Sequence, residues 1–449
     1  DSLDEAESYL KQATKHYEAS SYDESISLVK QAIPIYQALG DIKDKVKCEA
    51  LLCYNFLGKG EPNEALRIAQ QLTQDISDQQ GEHYREKCEL ADILGEASLS
   101  LGRNNEALTF FEESLHIYQS SKQEDPLLLA RIYNHLGLLY WNNGSWDLAL
   151  EHQLKAYNLR KNVHGSLHPD IAASLNDIGL IYSSKEDLNQ ARKYYSETLD
   201  MYEKLYPARH PKIANGLVNL AIIQRQDSSF SDALSNLEKS LEIWQEIYQD
   251  DHPKIAFIYS NIGRVYQGQK QNTVALEYQK RALGIYQKNY GDRHPDIANT
   301  YNLMGLTYQN QEKWSEAREA FHQALLANYS REYQKGLYEL LALQNYYNAD
   351  ILRSSLHMKA LASEGLHLNR SLKAKDLKSA LLFIEQCDTL IQEIRQTRSN
   401  KGDKLSLGAG ARRIYEDGIR ICFRLAKNNL NPAYYHRKAF YFSEQSKAT

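Results

Sequence analysis

The chain has 449 residues, more than one ordinary globular core accommodates, so several domains or a repeat array are expected. Its 42% hydrophobic and 25% charged residues exclude long disorder, and only 9 prolines and 22 glycines leave room for long helices. A net charge of −5 speaks against nucleic acid as the main partner, because a phosphate binder presents a basic face.

The charge is unevenly spread. Ser371 to Thr449 holds fifteen Lys and Arg against eight Asp and Glu, so the rest of the chain is acidic. Ordinary solvated helix faces are the expected reading; the alternative is a basic part that docks on the acidic one or presents a basic surface to a partner. The 32 tyrosines suit helix interfaces that are half buried and half wet. No run of 18 apolar residues exists to span a membrane. Cys48, Cys53, Cys88, Cys387 and Cys422 form no C-x-x-C pair and read as small buried residues in a reducing setting. The cytoplasm is the expected compartment. Export to the periplasm is the alternative if Asp1 is a processed N-terminus.

From the N-terminus, helical units recur. A small residue in each second helix falls at Ser25, Ala65, Ala107, Ala149, Ala191, Ala233, Ala275 and Ala317, the first interval being 40 residues and the others 42. His-Pro dipeptides at His168, His210, His252 and His294 keep the 42-residue period. So does a column of small residues, Gly137, Gly179, Ala221, Gly263 and Gly305. Apolar residues at i, i+3, i+4 and i+7 predict two amphipathic helices per unit, joined by a short turn such as Asn142-Asn143-Gly144. Small residues let the pair approach closely, and large neighbours (Trp146, Leu188, Phe230, Trp314) fill the space beside them.

These columns resemble the tetratricopeptide signature, with 42 residues in place of 34. The fold class expected is all-α: a tetratricopeptide (α-α) superhelix over 1–330, made of eight repeats, then a C-terminal helical bridge over 331–449. In the bridge, Tyr333 to Asn348, Ala349 to Leu366, Lys373 to Thr397, Arg412 to Ala426 and Pro432 to Ser446 are predicted helices. Arg398 to Asp403 is predicted a loop, and Asn431 a cap.

The segment from His168 to Tyr290, with Leu175-Asn176-Asp177-Ile178-Gly179, is similar to the repeats of kinesin light chains. Farther on, Ile414-Tyr415-Glu416, Ile419 and Ala439 to Ala448 resemble the segment that precedes the protease in bacterial CHAT (caspase-like) proteins. That second resemblance implies the regulatory arm of a protease whose domain follows. A free-standing adaptor joining two proteins and a bacterial signal-peptide receptor remain the alternatives. No Walker loop, Gly-x-Ser-x-Gly or His-Glu-x-x-His is present, so no catalysis is expected within these residues.

The first helices are predicted to line a concave groove. Counted from the small column, Asn134, Asn176 and Asn302, then Asp177, Asn219 and Asn261, face it. Arg131, Asn215, Phe257 and Asn299 lie one turn earlier, Trp141 and Arg225 one turn later, and Arg264 lies on the same face. Each asparagine amide offers donors and an acceptor to a peptide unit. By the kinesin light chain resemblance, Asn176, Asn219, Asn261 and Asn302 would hold a peptide's main chain.

The expected partner is therefore a protein or peptide, with no cofactor. A metal shared among the four loop histidines is not expected. Equivalent residues of successive repeats lie about 10 Å apart, whereas zinc needs its ligands about 2.1 Å from one point. A cap ahead of a helix-starting proline explains these histidines instead. Gly408-Ala409-Gly410 reads as a flexible connector before a helix.

Overall fold

A computed structural model of the chain describes all residues except 1, 19–20, 78–82, 102, 122–123, 249, 332–335, 341, 398–400, 428–430 and 448–449. The described residues form helices and turns, with one isolated antiparallel bridge between Tyr329 and Tyr346. The chain divides into two compact units, Asp1–Lys185 and Glu186–Thr449.

The first unit contains α1 (Ser2–Glu18), α2 (Tyr22–Leu39), α3 (Ile42–Gly58), α4 (Pro62–Ser77), α5 (Tyr84–Ser100), α6 (Asn104–Ser121), α7 (Pro126–Asn142), α8 (Trp146–His164) and α9 (Pro169–Ser184). The second contains α10 (Leu188–Leu205), α11 (Pro211–Gln226), α12 (Phe230–Ile247), α13 (Pro253–Gly268), α14 (Asn272–Tyr290), α15 (Pro295–Asn310) and α16 (Trp314–Ala327). After these come α17 (Ala349–Leu366), α18 (Ala374–Thr397), α19 (Lys401–Lys427) and α20 (Pro432–Lys447).

The small column is where paired helices touch. A Cβ on Gly95 would lie 2.4 Å from the buried Phe111 ring, and one on Gly305 would lie 2.5 Å from Phe321. The turn inside each hairpin repeats too. Gly144 has φ 73°, and Glu186, Ser228, Lys270 and Glu312 hold the same left-handed conformation at φ 57–67°. Glycine enters that conformation freely, whereas the other four hold it against their own Cβ.

The His-Pro columns begin helices as the sequence suggests. Proline needs no N–H at a helix's first position. The Nδ1 atoms of His168, His210, His252 and His294 accept the main-chain N–H of Asp170, Lys212, Lys254 and Asp296, at 3.1–3.2 Å. His210→Ala removes one such cap and should cost about 1 kcal/mol, read as a lower denaturation midpoint by circular dichroism.

α16 to α20 enclose a core of their own, with Leu352, Leu356, Phe383, Ile384, Tyr415, Ile421 and Phe442 buried in it. α17 and α18 form where expected, and Asn431 Oδ1 accepts the Tyr434 N–H at 3.4 Å at the start of α20. Three expectations fail. The predicted helix Tyr333 to Asn348 is not one: residues 333–335 and 341 lie outside the described residues, and the rest form turns, bends and the Tyr346 bridge but no helix. Asn345 sits at φ 59°, and the Ser330 N–H donates to its carbonyl at 2.7 Å. The Asn328 amide holds the Asn348 carbonyl at 2.7 Å, so a folded-back loop satisfies the main chain. The predicted loop Arg398 to Asp403 is described only from Lys401, where α19 has begun. Gly408-Ala409-Gly410 lies inside α19, so it offers no helix N-terminus to an anion. Gly410 instead admits Arg353, whose Nη1 would lie 2.6 Å from an added Cβ.

All five cysteines are buried and unpaired. Burial raises each thiol, to about 12 for Cys53 and Cys387, which keeps them protonated and unreactive.

Candidate functional site

In the first unit the polar residues predicted to face a groove satisfy one another. Arg131 Nη1 lies 3.0 Å from Glu89 Oε1, and its Nε lies 3.0 Å from Asp92 Oδ2. His135 Nδ1 meets the other Asp92 oxygen at 2.8 Å. Burial opposes ionisation of Asp92, but His135 and Arg131 outweigh it and hold the carboxyl below its usual range. Asn134 Nδ2 donates to Gln153 Oε1 at 3.0 Å and to Asp177 Oδ2 at 2.9 Å. Burial raises the Asp177 carboxyl, while hydrogen bonds from Asn134 and Asn176 counter it. Trp141 Nε1 donates to Ser184 Oγ at 2.7 Å. Arg131, Asn134, Trp141, Asn176 and Asp177 are thus woven into internal networks.

The second unit differs. Phe257, Asn261, Arg264 and Asn299 converge on a cavity of about 180 Å³ whose walls also include Tyr286 and Asp296. Phe257 is 46% exposed, and Asn299 is exposed. Asn261 is buried and donates one N–H to the Phe257 carbonyl at 2.8 Å, which leaves its amide oxygen as an acceptor.

Arg225 and Arg264 are half-buried and pair with no carboxylate among the described residues. The Nε of Arg225 is buried without a hydrogen-bond partner among the described residues. Burial depresses both guanidinium groups below their ordinary range, and Arg225 depresses Arg264 further. Two like charges are therefore held in a poorly solvated place, an arrangement that an incoming anion relieves.

Asn215 is exposed and Asn219 half-buried on α11, outside the cavity wall. Asn302 is engaged elsewhere: its Oδ1 accepts from Ser355 Oγ of α17 at 2.9 Å. Tyr286 and Asp296 escape a reading confined to the first-helix columns. Tyr286 projects from a second helix, and Asp296 belongs to the His-Pro cap.

The family model for the tetratricopeptide repeat matches residues 128–204, 212–288 and 256–325. No curated protein sequence matches the chain. Among solved structures, a Rap protein complexed with competence and sporulation factor shares 15% identity at TM-score 0.54, covering 90% of this chain and 99% of that one. The apo quorum sensor NprR from B. thuringiensis shares 16% at TM-score 0.51, covering 90% and 100%. BtubC (BKLC) from P. vanneervenii shares 22% at TM-score 0.42, covering 52% and 91%. At these identities the likeness is one of fold. No helix among the described residues is long and apolar enough to cross a membrane. With its hairpin columns in place and the family model matched between residues 128 and 325, this all-α chain carries tetratricopeptide repeats over that segment.

Proposed function

We propose that the second unit binds an extended peptide or protein segment bearing an acidic group, which Arg225 and Arg264 receive while Asn219, Asn261 and Asn299 hold its main chain. The observation that carries this reading is the pair of half-buried arginines without a carboxylate partner among the described residues. Phe257, exposed beside them, offers an apolar surface for a neighbouring side chain. The structural likeness to Rap and NprR contributes the fold alone.

Selection from a displayed library of random octapeptides tests this directly. Enrichment of sequences with Asp, Glu or a free C-terminal carboxylate is expected, and a selection with no acidic preference would sink the idea. For an enriched peptide, Asn219→Ala with Asn261→Ala should weaken binding at least tenfold at unchanged helicity, since each groove hydrogen bond contributes about 1 kcal/mol.

The finer reading makes the repeats the recognition arm of an attached caspase-like protease. Its support is the resemblance over Ile414 to Ala448, in which Ile414, Tyr415, Ala439 and Phe442 also serve as core residues. A coding sequence that runs past Thr449 into an α/β domain with a paired His and Cys would sustain it. A stop codon there would favour the free-standing adaptor.

A further inference from the structure

Each His-Pro cap carries a second ring. The residue four before the histidine stacks on it: Tyr206 on His210 at 4.0 Å between ring centroids, Tyr248 on His252 at 3.6 Å, and Tyr290 on His294 at 3.9 Å. In the first unit the same place is taken by His164, stacked on His168 at 3.6 Å with the rings 2° from parallel. The stack is thus a device of the repeat, and only here does its partner ring bring a nitrogen.

The carboxylate two residues after the cap completes the set. It is present as Asp170 and Asp296, whereas the two intervening repeats carry Lys212 and Lys254. Asp296, however, faces Tyr290, so the His-x3-His-x-Asp combination occurs at one repeat alone. His164 Nε2 lies 3.5 Å from Asp170 Oδ2, and His168 Nδ1 lies 3.7 Å from the same oxygen. One ligand atom from each residue falls within 4.8 Å of the others. A tetrahedral zinc with bonds of about 2.1 Å sets its ligand atoms about 3.4 Å apart, close to those separations. His164 Nε2 is also buried with no hydrogen-bond partner among the described residues, an unused acceptor or donor aimed at the Asp170 carboxylate.

The geometry points to a divalent-cation site of borderline character, suited to Zn²⁺, formed by His164, His168 and Asp170 where α8 ends and α9 begins. Two imidazoles and one carboxylate are the donor set that zinc accepts with its fourth position open. Asp170 is half exposed, so that position faces solvent and is available to a water or to a ligand from a bound partner. Three features oppose the ion and keep its affinity modest. The rings, 2° from parallel, must tilt before both in-plane lone pairs reach one ion. His168 Nδ1 must release the Asp170 N–H that it accepts at 3.2 Å, and Arg160 stands nearby, donating to the Asp170 carbonyl at 3.5 Å. The spacing between successive repeats does not bear on this site, because all three donors come from one.

Zinc chloride titrated into the full chain by calorimetry tests the proposal. The natural chain should take up one zinc saturably, give it up to EDTA, and show a denaturation midpoint that rises with zinc. His164→Tyr installs the ring that the next three repeats use, so the stack is kept and the ligand lost. It should bind zinc at least tenfold more weakly, with the zinc-free midpoint unchanged. Asp170→Asn should weaken binding as well, and it decides the matter if the tyrosine variant folds poorly. Absence of saturable zinc uptake by the natural chain overturns the site. So does equal affinity in both variants, which would place the ion elsewhere.

Discussion

Arg225→Ala combined with Arg264→Ala should weaken an acidic peptide selected on the natural chain by at least a hundredfold. Each guanidinium–carboxylate contact in a partly buried place contributes about 1.5–3 kcal/mol, and about 1.4 kcal/mol is tenfold in affinity. Losing two such contacts therefore costs two decades or more. The unliganded protein should respond in the opposite sense. Its two cations are depressed by burial, and Arg225 weighs on Arg264, so removing both relieves repulsion and leaves the denaturation midpoint unchanged or higher. Arg225→Lys with Arg264→Lys separates charge from shape. A lysine is a point charge without the planar fork, so partial binding is expected to return, more strongly at low salt. Fluorescence anisotropy with a labelled peptide reads all three variants. Unaltered affinity in the double alanine variant would remove the arginines from the site.

Lys359→Met should stabilise the protein, and its effect should depend on pH. Lys359 is fully buried on α17, with Nζ 3.1 Å from His322 Nδ1 and 4.3 Å from the centre of the Phe383 ring. Burial first, and Arg318 after it, lower its ammonium from an ordinary 10.5 to about 7, with Glu319 partly opposing them. Arg318 is itself tied to Asp376 at 2.7 Å and so brings little net charge of its own.

Because the folded value lies below the unfolded one, the unfolded chain binds the extra proton between about pH 7 and 10.5. Stability from this group is therefore full above 10.5, falls as pH drops through that window, and stays low beneath it. A shift of this size is on the order of a few kcal/mol. Methionine fills a similar volume without the charge. The variant should have a higher urea midpoint at pH 7, and the difference should shrink by pH 10. A constant difference across that range would show that the lysine is not held neutral.

Much of the hairpin scaffold was legible because its determinants are local. Proline after a capping histidine fixes where α9, α11, α13 and α15 start, and glycine or alanine opposite a bulky ring fixes where helices meet. Helical patterning also placed α17 at Ala349 to Leu366, but it missed the cap: Asn348, read as the end of a preceding helix, accepts the Ile351 N–H at 2.9 Å. It failed where the main chain is satisfied from far away. Residues 336–348 have helical spacing, but Asn328 and Ser330 bind the C-terminal end of that stretch, at Asn345 and Asn348, into a loop.

The groove was legible only as a list of positions. Spacing tells which residues share a face but not which ones are already taken. Arg131 and Arg225 share the predicted face at different turns of their helices, yet one is matched by Glu89 and Asp92 while the other meets no carboxylate among the described residues. Such pairings join helices some forty residues apart and leave no local signature.

The hairpin turns carry a consequence for how the array holds together. Ser228, Lys270 and Glu312, all within the second unit, each keep a left-handed backbone that costs a side-chain-bearing residue about 1–2 kcal/mol. The return comes from contact between the two helices that the turn folds together, and from the hairpins stacked on either side. A hairpin cut out alone would carry the whole cost with part of the return. Cooperativity is therefore built into the turn itself: the conformation of each repeat is tenable only in the company of its neighbours, and fraying at one end of a unit lowers the standing of the next hairpin inward.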